Sequence, residues 1–274
     1  SGPALPVQDV LDGLSDHTGR LLIRGEAGMG KTTLLRWVAI QAAQREEPQS
    51  KFARIGRELD REALDDLGAS ELSEDHAADL VATTPWYERI PFLIYLRDCK
   101  QGRLPRLEEF PCQVARHQEK PPEGWVERVL KDGMGLVLID GLDETPPKYR
   151  PSVLRSVRSL ARTYPDAWFI VTTRPAAADK DCLADGDFRE CAIAPMTPGD
   201  RAALIDRWHE SVSAELRRQG RADKADETVE LADALKDQLA NNPPIARLAN
   251  TPLLAAMICA LHRDRRAVLP ESQY

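Results

Sequence analysis

The chain has 274 residues, 44 acidic against 37 basic, and a formal net charge of −7. That length makes one large domain or two small ones, and the acid balance disfavours non-specific binding to a phosphate backbone, which needs a basic surface. With 42% hydrophobic and 30% charged residues the composition is globular, neither disordered nor fibrous, and no apolar run approaches the ~20 residues that cross a bilayer.

In chain order, Ser1-Gly2-Pro3 reads as a domain cut, with no secretory signal. Short apolar runs follow at 21–23, 92–96, 136–139 and 168–171, with a weaker one at 191–193. Continuous apolar runs of this length suit parallel strands buried on both faces. Between them lie helical patterns, such as residues 32–45, and strands alternating with helices imply crossover units on a parallel sheet. Residues 1–195 therefore read as an α/β domain. Within it, residues 48–86 are polar, acidic and without a strand run, and read as a small helical insertion with a solvated face.

After Pro195 the strand signals stop. Thr197-Pro198-Gly199-Asp200 carries a cap, a first-turn proline and an acid three residues past the cap, which starts a helix. Leu204, Trp208, Val212 and Leu216 then recur every four residues as one helix face. A second helix carries Leu231, Leu235 and Leu239 and ends before Asn241-Asn242-Pro243-Pro244. A third starts at Thr251-Pro252 and carries Leu253, Leu254, Met257, Ile258 and Leu261. Residues 196–274 thus read as a small helical domain, which stops at Tyr274 without a cap signal, as a chain cut from a longer one would.

The five cysteines (Cys99, Cys112, Cys182, Cys191, Cys259) contain no Cys-x-x-Cys pair and suit single thiols in a reducing cytoplasm. The five histidines (His17, His76, His117, His209, His262) lack metal-ligand spacing and read as structural or solvated. Trp37 and Trp208 read as core anchors.

The chemistry concentrates in three places. Gly25-Glu26-Ala27-Gly28-Met29-Gly30-Lys31-Thr32 matches G-x-x-x-x-G-K-[ST] in full, directly after the first strand and before the first helix. Glycines let the backbone curl so that successive N–H groups point at phosphate oxygens, and the helix N-terminus adds its positive dipole end. Lys31 is expected to reach the β- and γ-phosphates, Thr32 to place its hydroxyl on Mg²⁺, and Thr33 to lie near the α-phosphate. Second, the third strand ends in Asp140-Gly141-Leu142-Asp143-Glu144. Ligands of parallel α/β sheets bind beyond the carboxyl ends of the strands, so Asp140 falls where a carboxylate holds Mg²⁺. Asp143 or Glu144 then turns back to orient the attacking water or accept its proton; the residues leave open which. Third, the fourth strand exits through Thr172-Thr173-Arg174-Pro175. If it lies beside the first strand, Arg174 points at the γ-phosphate edge, to neutralise charge in the transition state or to sense that phosphate.

GEAGMGKTT, LVLIDGLDE, the strand ending TTRP, Pro195-Met196-Thr197-Pro198 and Asn250-Thr251-Pro252-Leu253-Leu254 occur in the order found in NACHT domains, of the STAND class of signal-transduction NTPases. The sequence resembles that family from about residue 21 to about residue 266, and Pro122-Glu123-Gly124-Trp125-Val126 looks like its bacterial members. The resemblance implies a P-loop NTPase (ASCE/AAA+-like) sheet followed by a helical domain, with the nucleotide between them. It implies that Lys31, Thr32, Asp140, Asp143 and Glu144 are the Walker A and extended Walker B positions, that Arg174 is the sensor arginine, and that Pro252 packs on the adenine. It favours Glu144 over Asp143 as the residue acting on water. It further implies ATP and ADP as ligands with Mg²⁺, a switch between an ADP form and a self-associating ATP form, an N-terminal effector, a C-terminal sensor and a role in antiphage signalling. The chain stops where a winged helix is expected to begin, so the winged-helix histidine that grips ADP has no counterpart. No base-reading motif separates ATP from GTP.

Two other classes fit less well. A metabolic phosphotransferase needs an acceptor lid with clustered arginines, and the insertion, despite Arg54, Arg57 and Arg61, is mainly acidic. A DNA-remodelling ATPase needs a basic groove. The expected partner is thus a nucleotide, not a nucleic acid or a membrane.

Overall fold

The structure is a computed structural model and describes residues 4–14, 19–44, 84–99, 102–113, 121–177 and 182–265. The helical insertion expected at 48–86 falls, as far as residue 83, outside them, as do His17, His76 and His117. The chain divides into two compact units, Ser1–Gly25 with Lys31–Ala192, and Glu26–Gly30 with Ile193–Tyr274.

In the first unit the described residues form one sheet of β1 (Arg20–Arg24), β2 (Ile90–Tyr95), β3 (Gly135–Asp140), β4 (Trp168–Thr173) and β5 (Arg189–Ala192), in the order β2-β3-β4-β1-β5. All neighbours are parallel. The expected runs account for the middle of the sheet: every residue of β3 and β4 is buried, as strands covered on both faces must be. The fifth strand departs from expectation. It forms two residues earlier, is largely exposed, and holds only β1 as neighbour. An edge strand needs no apolar run. Its Glu190 instead accepts from Nε and Nη2 of Arg24, both at 2.9 Å.

Helices α1 (Val7–Asp12), α2 (Lys31–Gln44), α3 (Trp125–Lys131) and α4 (Arg150–Thr163) belong to this unit. The chain enters α2 straight from β1 through the glycine-rich loop. Helix α4 buries Val153, Val157 and Ala161, one per turn, among Val137, Ile139, Phe169 and Val171 of the sheet.

The second unit contains α5 (Pro198–Arg218), α6 (Ala222–Asn241), α7 (Pro243–Leu248) and α8 (Pro252–Asp264). Their starts follow the sequence signals. Thr197 and Asp200 form a reciprocal capping box on α5, while Asn242 and Thr251 cap α7 and α8 through their side chains.

On two helices the fully buried residues are not the apolar ones named from the sequence. On α5 the fully buried line is Ile205, His209 and Ser213, and the Leu204–Trp208–Val212–Leu216 row flanks it at partial exposure. On α8 the buried residues are Ala255, Cys259 and His262, whereas Leu253, Leu254, Met257 and Leu261 are 39–55% exposed. Helix α8 packs on α5 and α6 through Ala255 and Cys259, with Ile258 against the same cluster, and Leu253, Leu254, Met257 and Leu261 stay partly exposed. All five cysteines are free thiols.

Candidate functional site

The site begins where β1 ends. The Gly25 N–H donates to the Thr173 carbonyl at 3.1 Å, which ties the start of the loop to the end of β4. Strand β1 pairs directly with β4, the neighbourhood that the reading of Arg174 required. Within the loop, Gly28 (φ +77°) and Gly30 (φ +86°) adopt left-handed backbone, which explains glycine at both. Lys31 Nζ donates to the Gly25 carbonyl at 2.6 Å. Thr33 lies exposed in the first turn of α2, Glu26 and Ala27 are exposed, and Met29 is buried.

The segment Glu26–Gly30 belongs to the second unit together with the start of α8. The Leu253 N–H donates to the Gly28 carbonyl at 3.3 Å. A Cβ at Gly28 would stand 3.0 Å from Leu253 Cβ, and one at Gly30 would stand 3.9 Å from Pro252 Cγ. Pro252 therefore borders the loop.

Asp140, at the tip of β3, is 2% exposed. Its Oδ2 accepts from Thr32 Oγ1 at 2.6 Å and its Oδ1 from Thr172 Oγ1 at 2.7 Å. Thr172 Oγ1 in turn accepts from the Gly141 N–H at 3.0 Å. The structure thus brings together the two residues expected to hold Mg²⁺. Both offer hard oxygen donors, the kind Mg²⁺ prefers, and it commonly completes its shell with water and phosphate oxygens. Among the described residues no cluster of three or more His, Cys, Asp or Glu could hold a metal unaided. Two hard oxygen donors, Thr32 Oγ1 and the Asp140 carboxylate, fit a Mg²⁺ that takes the rest of its shell from phosphate and water.

Beyond Asp140 the chain turns through Gly141 (φ +80°) into a single 3₁₀ turn, Leu142–Glu144. Asp143 faces Arg174. Its Oδ2 lies 2.8 Å from Arg174 Nε, and its Oδ1 accepts from the Arg174 main-chain N–H at 3.1 Å. Neither acid caps α4, whose N-cap is Tyr149 without a side-chain bond. Glu144 is exposed, yet burial pushes its carboxyl above the ordinary range. Asp140 and Asp143 push it the same way, while Arg97 and Arg174 oppose. A cavity of about 320 Å³ is lined by Asp143, Glu144, Arg150, Arg174, Ala176 and Ala177.

Sequence reasoning missed three residues here. Thr172 is one of two threonines that end an apolar strand, a signal that was readable. Arg97, which follows β2, and Arg150, which opens α4, carry none, because their placement depends on how the loops return.

A parallel sheet whose first strand runs through Gly-x-x-x-x-Gly-Lys-Thr into a helix, with a carboxylate at the tip of β3 bonded to that threonine, defines a P-loop NTPase. The sequence pattern of the NACHT domain matches residues 19–78 and 81–212. The chain belongs to the NACHT domain family and is a nucleotide-binding and nucleotide-hydrolysing module. Comparison with proteins of curated function gives no match. Among solved structures, C. elegans PCH-2 is similar at 11% identity and TM-score 0.41, covering 90% of this chain and 62% of that one. A chain of Drosophila ORC bound to DNA is similar at 12% identity and TM-score 0.42, covering 98% of this chain and 67% of that one. Among the described residues no helix is long and apolar enough to cross a membrane.

Proposed function

We propose that this chain is the nucleotide switch of a larger cytoplasmic signalling protein of bacterial antiphage defence. In this reading it hydrolyses ATP slowly with Mg²⁺, rests with ADP, and self-associates with ATP. The observation that carries the reading is the double contact of Asp143 with Arg174. An arginine held by the carboxylate turn is suited to report whether a γ-phosphate is present, because phosphate and carboxylate compete for one guanidinium.

Lys31 would hold the β- and γ-phosphates, with the N–H groups of the loop from Gly25 to Gly30 and of Thr33 around the rest. Pro252, beside Gly30, would meet the base. Thr32 and Asp140 would hold Mg²⁺, which when bound neutralises phosphate charge. Glu144 would take the proton of the attacking water as the oxygen–phosphorus bond forms and the bond to the bridging β–γ oxygen breaks. Arg174 would stabilise the charge left on the γ-phosphoryl oxygens. The base, adenine or guanine, is a matter of contacts outside the loop. Effector and sensor segments would lie outside residues 1–274.

The test is to denature the purified protein and identify the released nucleotide, then to follow phosphate release from ATP with and without small-molecule acceptors. Retained ADP and slow release to water alone support the switch. Rapid turnover that depends on an acceptor supports a phosphotransferase and overturns it.

A further inference from the structure

We propose that Arg150 is a positioning residue for hydrolysis, fixing the turn that carries Asp143 and Glu144 to the segment that follows Arg174. The inference rests on the hydrolytic reading above and adds a residue to it.

Arg150 is the first residue of α4. Its three guanidinium nitrogens donate to three different carbonyls. Nη2 reaches Asp143 O at 3.0 Å, Nε reaches Thr145 O at 2.9 Å, and Nη1 reaches Ala177 O at 3.0 Å. The first two carbonyls belong to the turn after β3. The third belongs to the short turn Pro175–Ala177 after β4. The recorded pairing of β3 with β4 ends at Ile139 and Val171, so ladder bonds do not fix these turns to each other. Other bonds span the gap: Gly141 N–H to Thr172 Oγ1, and the two contacts between Asp143 and Arg174. Those two hold Asp143 by its side chain. Arg150 holds the same residue by its main chain.

Arg20 also donates to main-chain carbonyls, those of Gly186 and Ala161. It stands at the start of β1, away from the carboxyl ends of the strands, and there it serves the fold. Arg150 differs in two respects. The carbonyls it holds belong to, or adjoin, the residues assigned to the chemistry, and it lines the same cavity as Asp143, Glu144 and Arg174. The planar fork presents donors in fixed directions to three acceptors at once, which the single ammonium of lysine does not.

The experiment compares Arg150→Gln and Arg150→Lys with the wild type in ATP hydrolysis, ADP affinity by calorimetry, and melting temperature. Displacement of reacting groups by about 1 Å costs on the order of a hundredfold. Both variants are expected to lose about ten- to a hundredfold in kcat, with ADP Kd and KM within about threefold, because Lys31, Thr32 and the glycine loop are untouched. Combined with Arg174→Ala, the Gln variant should lose less than the product of the two single losses, since both act on one arrangement. A kcat near wild type overturns the inference. So does restoration by lysine, which would show that charge suffices, or a parallel fall of kcat, affinity and melting temperature. If the Gln variant does not fold, the Lys variant is judged by loss of kcat at unchanged ADP affinity. If neither folds, Arg150 is a residue of the fold and the inference fails. Asp143→Ala and Glu144→Ala run alongside. Wild-type rates in both would sink the hydrolytic reading itself, whereas their loss with Arg150→Gln unaffected sinks only this inference.

Discussion

Asp143 contacts Arg174 with both of its carboxylate oxygens, one on the main-chain N–H at 3.1 Å and one on Nε at 2.8 Å. In the proposed mechanism Asp143, with both oxygens engaged, would orient the arginine, and Glu144 would take the proton. Glu144→Gln is therefore expected to slow hydrolysis by about 10² or more while ADP affinity stays within about threefold. Asp143→Ala should slow hydrolysis less and reduce the preference for ATP over ADP. Wild-type rates in both, measured by phosphate release, would refute the assignment.

In the proposed mechanism Lys31 would supply the phosphate-binding cation of the loop. Lys31→Ala should weaken ADP binding by about ten- to a hundredfold, the value of a charge-assisted hydrogen bond. Calorimetry reads this directly, and an unchanged Kd would place the nucleotide elsewhere.

The raised position of Glu144 has a pH signature. A protonated carboxyl cannot accept the proton of water, so kcat should fall as the pH drops. Because burial and the neighbouring acids lift this group, the fall should begin above the ordinary carboxylate range. The limb should vanish from the residual activity of Glu144→Gln. A limb that persists there belongs to another group.

Stability should respond to pH through the helical unit. His209 and His262 are 1% and 0% exposed, and neither ring nitrogen of His262 has a hydrogen-bond partner among the described residues. Burial pushes both below the ordinary histidine value; His209 adds to the shift of His262, while the bond from His209 to the Ile205 carbonyl opposes its own. The folded state thus disfavours the charged form of both, whereas the unfolded chain protonates near pH 6.5. Their contribution is complete above that pH and is lost as the pH falls from there toward the lowered folded values. The melting temperature should drop between pH 7.5 and 5.5, and by less in His262→Leu. An equal drop in both proteins would clear the histidine of the effect.

Most of the site could be read from the sequence because its parts are local. The glycines, Lys31 and Thr32 lie within one short stretch, and Asp140 follows an apolar run that suits a strand buried on both faces. Pairing of β1 with β4 was a condition in the reading of Arg174, and the sheet meets it. On α8 the apolar residues marked the helix, but the buried positions are Ala255 and Cys259 rather than Leu253 and Met257. Hydrophobic spacing marks a helix but does not say which side a neighbour will approach. Arg150 and Arg97 were unreadable for a related reason, since their partners are set by loops that return from other strands.

Gly141 combines a φ of +80° with a neighbour so close that an added Cβ would stand 3.0 Å from Cδ and Oε2 of Glu144. Any other L-residue there must pay about 1–2 kcal/mol in backbone strain and push aside the very carboxylate assigned to the water. In the proposed mechanism, an inherited change at this silent-looking position, with every charged group of the site intact, would then act as the loss of Glu144 would: a protein that fills with ATP and does not reset.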